Sequence, residues 1–97
     1  SCISVQRVYV HETLADAFAR RLTAAVAALK VGDPRDPETE LGPMITRGDV
    51  ERITTWVRDA EADGARVLTG GHPLTDSVFA PTVIDHVPEY AALCREE

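Results

Sequence analysis

The chain has 97 residues, of which 44% are hydrophobic and 27% charged, a balance that suits one folded domain or part of one and excludes a disordered or collagen-like chain. Its formal net charge is −6, with no basic stripe or aromatic platform, which argues against nucleic acid and anionic membrane surfaces as partners. The longest apolar run, Ala24 to Leu29, is far too short to cross a bilayer, and no signal-peptide pattern precedes it.

Residues Val5 to Val10, "VQRVYV", alternate with β-branched and aromatic side chains and predict a strand. Apolar groups fall on both of its faces, so the expectation is a strand covered on both sides, as in an α/β sheet. The next stretch predicts an amphipathic helix. Thr13 is its candidate cap, with Asp16 as a weaker capping-box acid. Leu14, Phe18, Leu22, Val26 and Leu29 recur every three or four residues and Ala25 joins them, so Phe18 is expected in the core. Gly32 and Pro34 are the stop signal.

"VGDPRDPETELGPM" reads as a long loop, because its Asp-Pro and Gly-Pro steps cannot sustain a helix. Loops of that length are generally functional or well anchored. Thr46 then caps a second helix with Asp49 at its third position. Val50, Ile53, Trp56 or Val57, and Ala60 form the apolar stripe, and Gly64 supplies the left-handed stop. Ala65 to Gly71 predicts a short strand ending in a Gly-Gly turn. Val78 to Val87 predicts another, with Pro81 at a bulge or edge. This order points to an α/β fold: a partly parallel sheet flanked by two amphipathic helices. The last ten residues carry no termination signal. The chain also lacks an initiator Met and stops on Glu-Glu. The expectation is a piece cut from a longer protein.

Few residues suggest chemistry by themselves. The two cysteines, Cys2 and Cys94, make neither a disulfide framework nor a CxxC metal pair, which suits the reducing cytoplasm. A cysteine nucleophile needs help to ionise near neutral pH. Arg7 is the cation nearest to Cys2 in sequence. In an extended segment it would lie about 17 Å away, too far to do much. Read locally, a lone cysteine before a strand is more often buried packing than a nucleophile. His11, His72 and His86 have no metal-ligand spacing, so no metal site is expected. The acids between Asp33 and Glu40 lack the EF-hand pattern and read as a solvated loop. Neither GxGxxG nor GxxxxGK[ST] occurs, so no nucleotide-binding motif is present. Glu96 and Glu97 read as an exposed acidic end.

Four stretches together nevertheless resemble the aldehyde dehydrogenase superfamily. "SCISVQR" is similar to the family's nucleophile segment, a cysteine five residues before an arginine. "LKVGDPRDPETELGPMI" resembles the loop between two of its helices. "DGARVLTGG" and "FAPTVIDHV" resemble the strands that follow, and "CREE" resembles the start of an E-E-[IV]-F-G-P block. The resemblance implies that residues 1–97 are part of a catalytic domain, about a fifth of a family member, without the cofactor domain and the oligomerisation arm. It implies that Cys2 is the nucleophile, forming a thiohemiacetal and then a thioester, and that its own N–H helps to build the oxyanion hole. Glu97 would bind the nicotinamide ribose of NAD or NADP, because a carboxylate accepts from two hydroxyls at once. Arg7 would support the nucleophile segment, and Cys94 would have no catalytic role.

The parent would be a homo-oligomer that oxidises a small aldehyde in the cytoplasm. A CoA-acylating or acyl-phosphate-releasing parent stays open. The chain alone is expected to be inactive and to hold no cofactor tightly. A non-enzymatic module that self-associates is the competing expectation.

Overall fold

A computed structural model describes residues 4–96. In chain order the elements are α1 (Ala15–Ala27), α2 (Arg47–Ala62), β1 (Arg66–Thr69), β2 (Val83–Asp85) and α3 (Ala92–Arg95).

The second helix follows its local code at both ends. Thr46 is extended, and its hydroxyl accepts from the Asp49 N–H at 3.1 Å while the Asp49 carboxylate accepts from the Thr46 N–H at 3.1 Å. This is a full capping box, and it satisfies two N–H groups that would otherwise lack partners. At the other end Gly64 has φ +103°. The Gly64 N–H donates to the Glu61 carbonyl and the Ala65 N–H to the Ala60 carbonyl, at 3.1 and 2.9 Å. That pair of bonds is a Schellman stop, and it needs a residue that tolerates positive φ.

The start of α1 departs from expectation. Leu14 holds the N-cap position, with no side-chain cap. Thr13 turns instead to His11: its hydroxyl lies 2.9 Å from the His11 Nδ1, which also accepts from the Thr13 N–H. The hydroxyl was drawn to a nearer partner in the preceding turn, a competition typical of threonine.

The sheet also differs from the expected one. The strands β1 and β2 pair antiparallel, with Arg66 opposite Asp85 and Val67 opposite Ile84. The expected α/β arrangement stands, but its partly parallel sheet is not found in this pair. A parallel pair needs a crossover, usually helical. Residues 70–82 instead turn back on themselves, through an antiparallel bridge between Pro73 and Phe79. Parallel pairing among the described residues is confined to the isolated bridge Val31–Leu41. That bridge closes the neck of the long loop, where the Gly32 N–H also donates to the Leu41 carbonyl at 3.1 Å. The loop is anchored, as its length suggested.

Residues Val5 to Val10 belong to no ladder among the described residues. On one face Val5 and Tyr9 are 82% and 83% exposed, and on the other Val8 is exposed while Val10 is half-buried. The alternating pattern specifies a strand only when another strand lies beside it.

The helix α1 lies over the β1–β2 hairpin, and α3 packs on α2. The core is small: Val50, Val57, Ala60, Ala65, Ala80 and Ala91. The expected Phe18 is 38% exposed, and α1 has no buried residue. Trp56 is half-buried, with Arg52 stacked 4.6 Å from its ring centre.

One ion pair staples the hairpin. The Arg66 guanidinium donates to both oxygens of Asp85, at 2.9 and 2.7 Å. The hydrogen bond from Arg66 holds the Asp85 carboxyl below its usual pKa; burial opposes the shift and His86 adds to it. A depressed folded pKa gives stability that is present above the unfolded value and lost as pH falls through the folded one. The contribution is therefore full at neutral pH and disappears on the acid side, below about pH 4. Asp85→Asn is expected to lower the denaturant midpoint at pH 7, with the difference from wild type closing in acid. A difference that stays constant down to pH 2 would assign the effect to something other than this charge.

Candidate functional site

Cys2 and Glu97 lie outside the described residues. What the structure describes is the pair of segments that carry them. Arg7, five residues after Cys2, donates from Nη1 to the main-chain carbonyl of Cys94 at 3.2 Å. Cys94 stands three residues before Glu97. The two segments are thus joined although Arg7 and Cys94 are 87 residues apart in sequence. The other arm of the same guanidinium, Nη2, donates to the Tyr9 hydroxyl. Its carbon also lies 5.3 Å from the centre of the Tyr9 ring. Arg7 and Tyr9 share a face of an extended segment because side chains alternate with period two.

The receiving end is equally defined. In α3 the Cys94 and Arg95 N–H groups both donate to Ala91, and the Glu96 N–H donates to Ala92 at 2.8 Å. Carbonyls in the last turn of a helix have no intrahelical donor. The Cys94 carbonyl is one of these, and a guanidinium is a suitable charged donor for it. The Cys94 thiol is free and half-buried. Sequence reasoning noted Arg7 but not its partner. A main-chain carbonyl carries no residue signature, so no signal in the sequence could have pointed to it.

The other candidates have local roles. His72 Nδ1 lies 3.0 Å from the Gly70 carbonyl, and His86 Nδ1 lies 3.0 Å from Asp85. No cluster of three or more His, Cys, Asp or Glu among the described residues could hold a metal. In the acidic loop Arg35 pairs with Asp33 and Lys30 with Glu38, which leaves the loop with a net negative charge. No described helix is long and apolar enough to cross a membrane. A groove of about 440 Å³ runs between α2 and residues 73–76. Its lining includes no Cys, Ser or His, and its Arg47 faces Glu51 and Asp76 at 3.5 and 3.7 Å.

The same residues bear on a dinucleotide. Positive-φ glycines often mark a phosphate cradle, and here they are Gly64, Gly70 and Gly71. Gly64 ends a helix. A Cβ on Gly70 would meet the Pro81 carbonyl oxygen at 2.2 Å, and one on Gly71 would meet Val67 at 2.8 Å. The protein's own atoms fill that space, so the described residues do not form a pyrophosphate site.

The chain is similar to enzymes of one kind. It is 38% identical over 96 residues to the 3-sulfolactaldehyde dehydrogenase of Priestia aryabhattai, matching 99% of this chain and 20% of that protein. It is 39% identical over 97 residues to the glutarate-semialdehyde dehydrogenase of Pseudomonas putida, matching 100% of this chain and again 20% of the relative. Among solved structures, aldehyde dehydrogenase 21 of Physcomitrella patens, in complex with the reaction product succinate, superposes with a TM-score of 0.93 at 44% identity. That match covers 100% of this chain and 20% of that one. The chain therefore spans about a fifth of the length of its relatives. The family model described as "Aldehyde dehydrogenase family" matches residues 1–97. With the order of the four motifs, the fold and the whole-length match in agreement, the chain belongs to the aldehyde dehydrogenase family.

Proposed function

We propose that these residues contribute the nucleophile and the ribose ligand to an enzyme that oxidises an aldehyde to a carboxylic acid with NAD(P)+. Residues 1–97 are part of its catalytic domain. The observation that carries this reading is the Arg7–Cys94 bond, which holds the segment after Cys2 against the segment before Glu97. In a family member those two residues must work on one substrate–cofactor pair.

The Cys2 thiolate attacks the aldehyde carbon. The carbonyl electron pair moves to oxygen, and the resulting alkoxide is stabilised by the Cys2 N–H. When bound, NAD(P)+ supplies the hydride acceptor. The acyl group left on Cys2 as a thioester passes to water. Glu97 accepts hydrogen bonds from the two ribose hydroxyls and so orients the nicotinamide end. Some relatives are named for aldehydes with a terminal anionic group, 3-sulfolactaldehyde and glutarate semialdehyde, and others for vanillin and betaine aldehyde, which lack one. A small polar aldehyde is the substrate class we infer, and the cytoplasm is the setting that suits a chain whose two cysteines make no disulfide framework. The complete protein is a homo-oligomer in this reading.

The complete protein is expected to reduce NAD+ or NADP+ with succinate semialdehyde or glutarate semialdehyde, releasing the free acid. The 97-residue polypeptide alone is expected to release no NAD(P)H, since most of the cofactor site lies elsewhere. Both are read from absorbance at the reduced nicotinamide band. A complete protein inert toward every aldehyde tested would sink the proposal, and acyl-CoA formation would redirect its second half-reaction. Exposed Val5, Tyr9 and Ile45 favour self-association of the polypeptide alone, because uncovered apolar surface seeks a partner.

A further inference from the structure

We propose that Arg7 is a positioning residue that sets how the nucleophile faces the cofactor. It does so by tying the backbone after Cys2 to the backbone before Glu97. The inference rests on the reading above, in which Cys2 is the nucleophile and Glu97 the ribose ligand.

Three observations define the tie. First, the guanidinium reaches a carbonyl at the end of α3, at 3.2 Å. That turn is itself fixed by three backbone bonds of 2.8 to 3.2 Å from Cys94, Arg95 and Glu96. A charged donor on a main-chain acceptor therefore fixes a backbone rather than a mobile side chain. Second, the other arm is held by the Tyr9 hydroxyl, and the ring lies beside the guanidinium. The planar fork cannot rotate without losing one partner, and a lysine ammonium could not reproduce both contacts. Third, the reach on either side is short. Five residues separate Arg7 from Cys2 and three separate Cys94 from Glu97, or at most roughly 17 and 10 Å of chain. A shift of the tie moves both ends of the site relative to each other. Misplacement by about 1 Å is enough to cost on the order of 100-fold in rate.

The test uses the complete protein and four variants: Arg7→Gln, Arg7→Lys, Glu97→Gln and the Arg7→Gln/Glu97→Gln pair. Cofactor affinity is read by titration of NAD(P)+ without aldehyde, and KM and kcat are then measured separately. Arg7→Gln is expected to weaken cofactor binding about ten-fold, the usual effect of losing a charged hydrogen bond. Arg7→Lys should recover only part of this. The double variant should bind no more weakly than Glu97→Gln alone, because Arg7 acts through Glu97.

Wild-type affinity in Arg7→Gln, with weakened binding in Glu97→Gln, overturns the tie and leaves the proposed function standing. Fully additive losses also overturn it. Unchanged binding in Glu97→Gln instead refutes the assignment of Glu97. If Arg7→Gln does not fold, Tyr9→Phe carries the test. It removes only the hydroxyl that fixes the second arm, and about three-fold weaker binding is expected. Unchanged binding in Tyr9→Phe would then overturn the proposal.

Discussion

Cys2→Ala in the complete protein is expected to lower kcat for aldehyde oxidation by about four orders of magnitude or more. Loss of a covalent nucleophile removes the two-step route itself, and comparable knock-outs fall in this range. Cofactor affinity should be retained, because the thiol is not a cofactor ligand in this reading. The companion variant is Cys94→Ala. Its thiol is half-buried, and its carbonyl, which takes the Arg7 bond, belongs to the main chain and survives the substitution. Cys94→Ala should therefore keep activity within a few-fold. Mass spectrometry of protein quenched during turnover should find the acyl adduct on the peptide containing Cys2. Substantial turnover by Cys2→Ala, or an adduct on Cys94, would remove Cys2 from the mechanism.

Gly70→Ala is the substitution with the largest expected effect on the fold. At φ +71° an L-residue is already strained. The added Cβ would also lie 2.2 Å from the Pro81 carbonyl oxygen and 2.6 Å from the Thr82 hydroxyl. The first of these is backbone and cannot rotate away. The two strands would have to separate where they enter the hairpin. There the Thr82 hydroxyl accepts from the Gly71 N–H at 2.8 Å and donates to the Ala80 carbonyl at 2.6 Å. A backbone clash with the loss of these bonds is worth roughly 3 kcal/mol or more. Gly64→Ala is the comparison. Its φ is +103°, but a Cβ there meets nothing within 4 Å. Only conformational strain applies, about 1 kcal/mol. Denaturant midpoints of the two variants separate the steric part from the conformational part. Equal losses would show that the approach of Gly70 to Pro81 is not limiting.

Some elements were legible because their cause is local. The capping box at Thr46 and Asp49, the stop at Gly64 and the apolar stripe of Val50, Val57 and Ala60 all lie within a few residues of what they control. The turn after Thr69 was legible for the same reason, since two adjacent glycines leave few alternatives. Thr13 shows the limit of such rules: a threonine in a capping position is also two residues from His11, and the hydroxyl took that partner.

The candidate site was read in a different way. Cys2 and Glu97 stood out through the order of family motifs, not through local chemistry. Nothing around Cys2 in the sequence activates a thiol. Nothing in "CREE" says that an arginine from the other end of the chain holds its first carbonyl.

The sequence by itself determined the two helices, their ends in α2, the hairpin turn and the family. These follow from short-range hydrogen bonding, periodicity and motif order. Only the tertiary structure decided that β1 and β2 run antiparallel, that Val5 to Val10 has no partner strand among the described residues, that Phe18 stays partly exposed, and that Arg7 reaches Cys94. Strand pairing, burial and a side-chain bond across 87 residues depend on which distant surfaces meet. Period and propensity carry no information about that.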